Sequence, residues 1–184
     1  MRIVGGRFRG KLLHTPSDDA IRPTADRTRE SLFNILSSRL GPHFEGKKVL
    51  DLFAGTGALG LEALSRGAAR AVFVDTGTEA RGLIRDNIEA MGLAGVAKLL
   101  RRDATDLGPA GTMGACDLVF LDPPYTKGLG ERALASALAG GWIAADAVIV
   151  LEEGADVALT LPEGITETDR RDYGAAALHF LARV

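Results

Sequence analysis

Residues 47–62 read Lys-Lys-Val-Leu-Asp-Leu-Phe-Ala-Gly-Thr-Gly-Ala-Leu-Gly-Leu-Glu. Val49 to Phe53 is a short apolar run suited to a buried strand, and Ala58 to Arg66 has the composition of a helix. Between them Gly55, Gly57 and Gly60 keep the G-x-G-x-x-G spacing of a turn that hands a parallel strand over to a helix. Further short apolar runs follow at Ala71–Val74, Ala97–Arg101, Leu118–Leu121 and Ala147–Leu151. Thr166 to Asp172 and Ala176 to Ala182 are spaced as a hairpin around Gly174. This alternation predicts an α/β, Rossmann-like fold with a mostly parallel seven-stranded sheet and an antiparallel strand at its C-terminal edge.

The glycine loop alone admits two cofactors. Asp75 ends the second strand twenty residues after Gly55, the spacing of a ribose-binding acid in a dinucleotide enzyme. Asp51, however, lies inside the first strand, four residues before Gly55. A buried acid is costly unless it is paired or hydrogen-bonded. It suits the ammonium of an amino-acid moiety, directly or through water, and opposes an anionic pyrophosphate. That favours S-adenosylmethionine, with Asp51, Phe53, Ala54, Gly55, Thr56 and Gly57 forming its cradle. Asp75 and Thr76 are then expected at the ribose, and Asp103 with the Ala104 N–H at the adenine.

Residues 118–125 read Leu-Val-Phe-Leu-Asp-Pro-Pro-Tyr. Pro123 and Pro124 lack N–H groups, so the strand ends there in a stiff corner. Asp122 and Tyr125 are thereby placed at the carboxyl end of a central strand, where open α/β sheets bind ligands. A carboxylate, the Pro123 carbonyl and a flat ring suit an exocyclic amine on a planar base. Asp122 and Pro123 would accept its hydrogen bonds as positive charge develops, and Tyr125 would stack on a base flipped from its helix. The expected fold is therefore a class I methyltransferase acting on an amino nitrogen. Adenine N6, cytosine N4 and a glutamine amide would fit this corner equally well.

The Asp-Leu-Phe-Ala-Gly-Thr-Gly loop, the Asp-Pro-Pro-Tyr corner and Arg22-Pro-Thr-Ala-Asp-Arg-Thr-Arg-Glu-Ser-Leu-Phe-Asn together resemble the RsmD-type bacterial methyltransferases. The opening Arg-Ile-Val-Gly-Gly and a late Asp-Tyr-Gly at 172–174 extend the resemblance along the whole chain. The loop and corner are shared by many methyltransferases, whereas the Arg-Pro-Thr segment is more specific. The resemblance implies methylation of the N2 amine of a guanine in 16S ribosomal RNA, within an assembled or assembling small subunit. The chain departs from the family in having Thr56 where Ser is common and Thr-Gly-Thr-Glu after Asp75; Asp122 stands where other amino-methyltransferases often have Asn.

With 184 residues, 46% hydrophobic and 25% charged, the chain fits one globular unit. We expect a basic N-terminal arm over residues 1–24 and a methyltransferase domain over 25–184. No apolar run reaches ~18 residues, and the N-terminus is no signal peptide, so a cytoplasmic protein with no membrane partner is expected. A monomer is expected as well. The His residues at 14, 43 and 179 are too scattered for a metal site, and the single Cys116 reads as core.

The net charge of −2 is uneven. Residues 1–48 carry ten Lys/Arg against five Asp/Glu, and the remainder carries twelve against nineteen. A basic arm beside an acidic core suggests RNA phosphates as partner. Ile3-Val4 and Leu12-Leu13 flank a Gly-rich stretch that reads as a β-hairpin, with Arg7, Arg9 and Lys11 on one face if it stays extended. Ala25 to Leu40 reads as a helix with apolar positions 32, 35, 36 and 40. Arg22, Arg27 and Arg29 lie at its start, where cations are mildly unfavourable, and are assigned to RNA. His179 and Phe180 read as packing or surface residues. Two other readings remain at this level: a dinucleotide-dependent oxidoreductase and a non-catalytic RNA-binding module.

Overall fold

The computed structural model describes residues 1–17 and 23–184; Arg22 falls outside them. Seven strands form one sheet: β1 (Lys48–Leu52), β2 (Arg70–Val74), β3 (Ala97–Leu100), β4 (Cys116–Leu121), β5 (Ile143–Gly154), β6 (Ile165–Tyr173) and β7 (Ala176–Arg183). Their order is β3-β2-β1-β4-β5-β7-β6. The first five run parallel, while β7 pairs antiparallel with both β5 and β6. The order reverses between β1 and β4, which opens a crevice at their carboxyl ends. This is the predicted architecture.

Alternation along the strands divides the core. Val49, Phe73, Leu118, Phe120 and Val150 face one layer, covered by α1 (Pro23–Leu40), α2 (Ala58–Ser65) and α3 (Thr78–Ala90). Leu50, Leu52, Val119, Leu121 and Leu151 face the other, covered by α4 (Leu129–Ala139). Strands apolar on both faces are what a parallel sheet between two helical layers demands. On α1, Leu32 and Leu36 are buried as expected, and so is Phe33. The Phe33 ring meets Phe44 and Phe120 at centroid distances of 5.9 and 5.7 Å. Cys116 is core, and burial raises its thiol pKa to about 11.

The β5 strand is longer than the apolar run at 147–151, because the sequence signal stops at charged Glu152 and Glu153 while the backbone pairing does not. Glu152, Glu153 and Gly154 continue opposite Leu178, Ala177 and Ala176 of β7.

The N-terminal arm differs from the expected hairpin. Its ladder reduces to one bridge, Arg2 with Leu12, flanked by Ile3 N–H to the Lys11 carbonyl and Leu13 N–H to the Met1 carbonyl. Between them the chain turns, with Arg9 N–H bonded to the Gly6 carbonyl and Lys11 N–H to that of Phe8. Gly6 and Gly10 have φ of 77° and 87°, which an extended strand does not adopt. Arg7, Arg9 and Lys11 are all exposed, but on a coiled turn and not along one strand face. The arm is docked, with Ile3 and Leu13 in the core.

Among the described residues no helix is long and apolar enough to cross a membrane, and no His/Cys/Asp/Glu group is arranged to hold a metal.

Candidate active site

Asp51 shares its side of β1 with Val49 and faces α2. Its Oδ2 accepts the Gly60 N–H at 2.9 Å, and the residue is 1% exposed. Burial raises its pKa to about 8; the Gly60 bond opposes that shift, and the charge of Asp75 adds to it. One amide donor is a poor return for a buried carboxylate, so the residue fits a cationic ligand group. Gly60 explains the close approach: a Cβ there would lie 2.4 Å from Phe73 Cε1 and 3.2 Å from Asp51 Oδ2.

The loop between β1 and α2 is bent by three left-handed residues, Phe53 (φ 57°), Gly55 (φ 61°) and Gly57 (φ 81°). Positive φ is uncommon for a bulky residue such as Phe53 and clusters at ligand-binding turns. Asp75 holds the loop: its Oδ2 accepts the Gly55 N–H at 3.0 Å and its Oδ1 the Gly77 N–H at 2.8 Å. Asn87 of α3 donates to the Thr56 carbonyl at 2.9 Å.

Two recesses meet at Phe53. The larger, about 620 Å³, is lined by Asp51, Phe53, Ala54, Thr56, Asp122 and Glu152, and by Met1 and Thr28 of the N-terminal segment. The smaller brings together Phe53, Asp75, Thr76, Asp103 and Ala104. Of the residues expected at the cofactor, Asp51, Phe53, Ala54 and Thr56 line the larger recess and Asp75, Thr76, Asp103 and Ala104 the smaller, with Phe53 shared; Gly55 and Gly57 line neither. Asp103 also caps the short 3₁₀ turn Ala104–Asp106, its Oδ1 accepting from the Thr105 hydroxyl at 2.7 Å and N–H at 2.8 Å. Those bonds, the hydroxyl first, lower its pKa.

At the corner, Asp122 follows β4 and its N–H reaches the Leu52 carbonyl at 3.4 Å. Register pairs Leu121 with Leu151, so Glu152 is its neighbour on the adjacent strand. Burial at the foot of the cleft, then the negative charge of Glu152, raise the Asp122 pKa above the carboxylate range. The residue is nonetheless exposed toward the cleft. Tyr125, 37% exposed, donates its hydroxyl to Glu152 Oε2 at 2.7 Å, and its own pKa is raised by burial and that bond. Pro123 is buried and Pro124 exposed. The corner ends at Thr126, with φ of 69°, whose N–H is held at 3.0 Å by the buried Glu153. A β-branched residue in that region is strained, and Glu153 holds it there.

The basic residues divide. Arg27 is exposed, as are Arg7, Arg9 and Lys11. Arg29 is 5% exposed and turned inward, its guanidinium bonded to Glu62 at 3.2 Å, to Asp26 at 3.0 Å and to the Arg2 carbonyl. The cation at the helix start is offset by these carboxylates and needs no phosphate.

Several residues carry the site without an obvious sequence signal. Glu62, fully buried on α2, accepts the Val4 and Gly5 N–H groups at 2.9 Å each and pairs with Arg29 and with Arg66 at 2.9 Å. Asn87 joins the same arm, at the His14 N–H, to the glycine loop. Glu152 and Glu153 stand where an apolar run ends in two acids, the one visible sign. His179 is buried and paired with Glu167, and Phe180 is fully buried; neither lines the cleft.

Comparison with known proteins agrees with this geometry. A family model described as Conserved hypothetical protein 95 matches residues 1–182. Ribosomal RNA small subunit methyltransferase D of Escherichia coli K12 is 39% identical over 153 residues, covering 83% of this chain and 74% of that protein. The solved structure of the Escherichia coli methyltransferase yhhF superposes with a TM-score of 0.83 at 34% identity, covering 100% of this chain and 97% of that one. The Thermus thermophilus 16S rRNA N2 methyltransferase RsmC, solved with AdoMet and guanosine, shares the fold at TM-score 0.66 and 21% identity, over 91% of this chain and 44% of its own. A dinucleotide enzyme is thereby set aside, in keeping with a buried acid beneath the loop where a pyrophosphate would lie. The chain belongs to the Conserved hypothetical protein 95 family of RsmD-type methyltransferases and is an S-adenosylmethionine-dependent RNA methyltransferase.

Proposed function

We propose that this protein methylates the exocyclic N2 amine of a guanine in 16S ribosomal RNA, acting as a cytoplasmic monomer on an assembled or assembling small subunit. One observation carries the reading: the Asp122 carboxylate and the Asp51-based loop open into the same cleft, so an amine acceptor and a cofactor cradle face each other. The name of the Escherichia coli relative supplies the small-subunit RNA, and the family resemblance supplies guanine N2.

Bound S-adenosylmethionine supplies an electrophilic methyl group on its sulfonium. Asp51 takes the ammonium of the methionine end, a role that suits a buried acid with a single amide donor. Asp75 and Thr76 take the ribose, and Asp103 with the Ala104 N–H the adenine edge, alongside Phe53. Asp122 and the Pro123 carbonyl accept hydrogen bonds from the target amine, holding its lone pair toward the methyl as positive charge grows on nitrogen. Pro123 and Pro124 keep the corner stiff, and the Tyr125 ring stacks on the unstacked base. Arg7, Arg9, Lys11 and Arg27 contact backbone phosphates; Arg22 is assigned with them from the sequence. Residues 1–24 act as the RNA-binding arm of a domain spanning 25–184.

The test is radiolabelled methyl transfer to small subunits from unmodified cells, to free 16S RNA and to duplex DNA, with nucleoside analysis of the product. N2-methylguanosine from ribosomal RNA, lost in Asp122→Ala while cofactor binding persists, is the expected result. Label in N6-methyladenine, or an active Asp122→Ala variant, refutes the assignment.

A further inference from the structure

The acid beside Asp122 has no part in holding a methyl donor or an amine. Asp122 follows the end of β4 and Glu152 lies within the adjacent parallel β5, both one residue beyond the Leu121–Leu151 pair and so on the same sheet face. Neighbouring strands lie ~4.8 Å apart, and both side chains line the large cleft. Tyr125 fixes Glu152 through Oε2, which leaves the carboxylate acceptor capacity for a second donor.

Two acids set this close repel each other unless hydrogen-bond donors come between them. In the free protein burial raises the Asp122 pKa first, and the charge of Glu152 beside it adds to that shift. Exocyclic amines differ in what stands beside them. Guanine carries N1–H next to its N2 amine, so its edge presents donors side by side. Adenine places the N1 lone pair beside N6, cytosine places the N3 lone pair beside N4, and a glutamine amide places its carbonyl oxygen there. A flipped base is read along this edge. Only guanine satisfies two neighbouring carboxylates; the other three direct an acceptor at one of them.

We propose that Glu152 is the guanine-specificity residue: while Asp122 holds the N2 amine, the Glu152 carboxylate accepts the N1–H of the same base. This rests on the functional reading above and supplies the reason for guanine that the Asp-Pro-Pro-Tyr corner lacks. The role of Tyr125 broadens with it, since its hydroxyl aims Glu152 while its ring meets the base. Glu152→Gln is the informative substitution, because an amide can turn its NH₂ toward an acceptor while keeping the shape of the side chain.

The experiment uses 2-aminopurine, which keeps the reacting 2-amino group but has a bare lone pair at N1. The methylated guanine is mapped first, then replaced by 2-aminopurine through ligation in 16S RNA reconstituted into small subunits. Methyl transfer is measured for the wild type and for Glu152→Gln on both substrates. A thermal shift with S-adenosylhomocysteine reports folding of the variant. The wild type is expected to prefer guanine by about 10-fold or more in kcat/KM, the scale of one hydrogen bond to a charged group. Glu152→Gln is expected to lose most of that preference, mainly by slowing on guanine. Equal use of both bases by the wild type overturns the inference and leaves guanine N2 methylation standing. So does a variant that slows both bases by the same factor, total inactivity included. Wild-type label in adenine or cytosine alone, or in no RNA, overturns the functional reading and this inference together.

Discussion

Replacing Asp51 by Asn tests the buried acid on which the cofactor reading rests. The folded pKa, about 8, lies above the ordinary carboxyl value of 3.8. Between those values the folded protein holds a proton that the unfolded chain has released. Stability is therefore fully present below about pH 4, falls as pH rises toward 8 and is level beyond it. A difference of about four pKa units at ~1.4 kcal/mol each gives a loss on the order of 5 kcal/mol across the window. Asn keeps a carbonyl oxygen for the Gly60 N–H but does not ionise, so the variant should lack this slope. Urea unfolding of the cofactor-free wild type and Asp51→Asn, from pH 4.5 to 9, measures the difference curve directly. Saturating S-adenosylmethionine should flatten the wild-type curve, because an ammonium beside Asp51 stabilises its charged form and lowers its pKa. The variant should show weakened cofactor affinity. Parallel pH profiles for the two proteins would refute the reasoning, because the slope would then arise elsewhere.

Gly60→Ala should destabilise by about 1–3 kcal/mol through overpacking against Phe73, despite the helix preference for Ala, as chemical denaturation would show. Glu62→Gln leaves the buried Arg29 and the half-buried Arg66 short of counter-charge, so a loss of about 3–5 kcal/mol is expected; limited proteolysis should then cut the arm before the core. Removing Arg7, Arg9 and Lys11 together should weaken RNA binding without changing cofactor binding. It should also lower the slope of log affinity against log salt by roughly 2, measured by filter binding at several salt concentrations.

The parallel strands were legible because burial on both faces leaves uninterrupted apolar runs, and Asp51, Asp75 and Asp122 stand out at or near the ends of three such runs. Distance along the chain is what hides the rest. Arg29 looks like a free cation at a helix start until the fold brings up Glu62, 33 residues later. The arm reads as a hairpin until positive φ at Gly6 and Gly10 turns it, and a Cβ on Gly6 would lie 2.0 Å from the Ser65 carbonyl oxygen. Glu152 shows the limit most clearly. Its own segment says only that a strand ends in two acids, and the corner thirty residues upstream says only that an amine is received. The register between β4 and β5 makes them one site. A single carboxylate suits any exocyclic amine, but two on one face ask for adjacent donors. Selectivity for the base is thus encoded in a strand pairing, while the chemistry of methyl transfer is encoded in contiguous motifs.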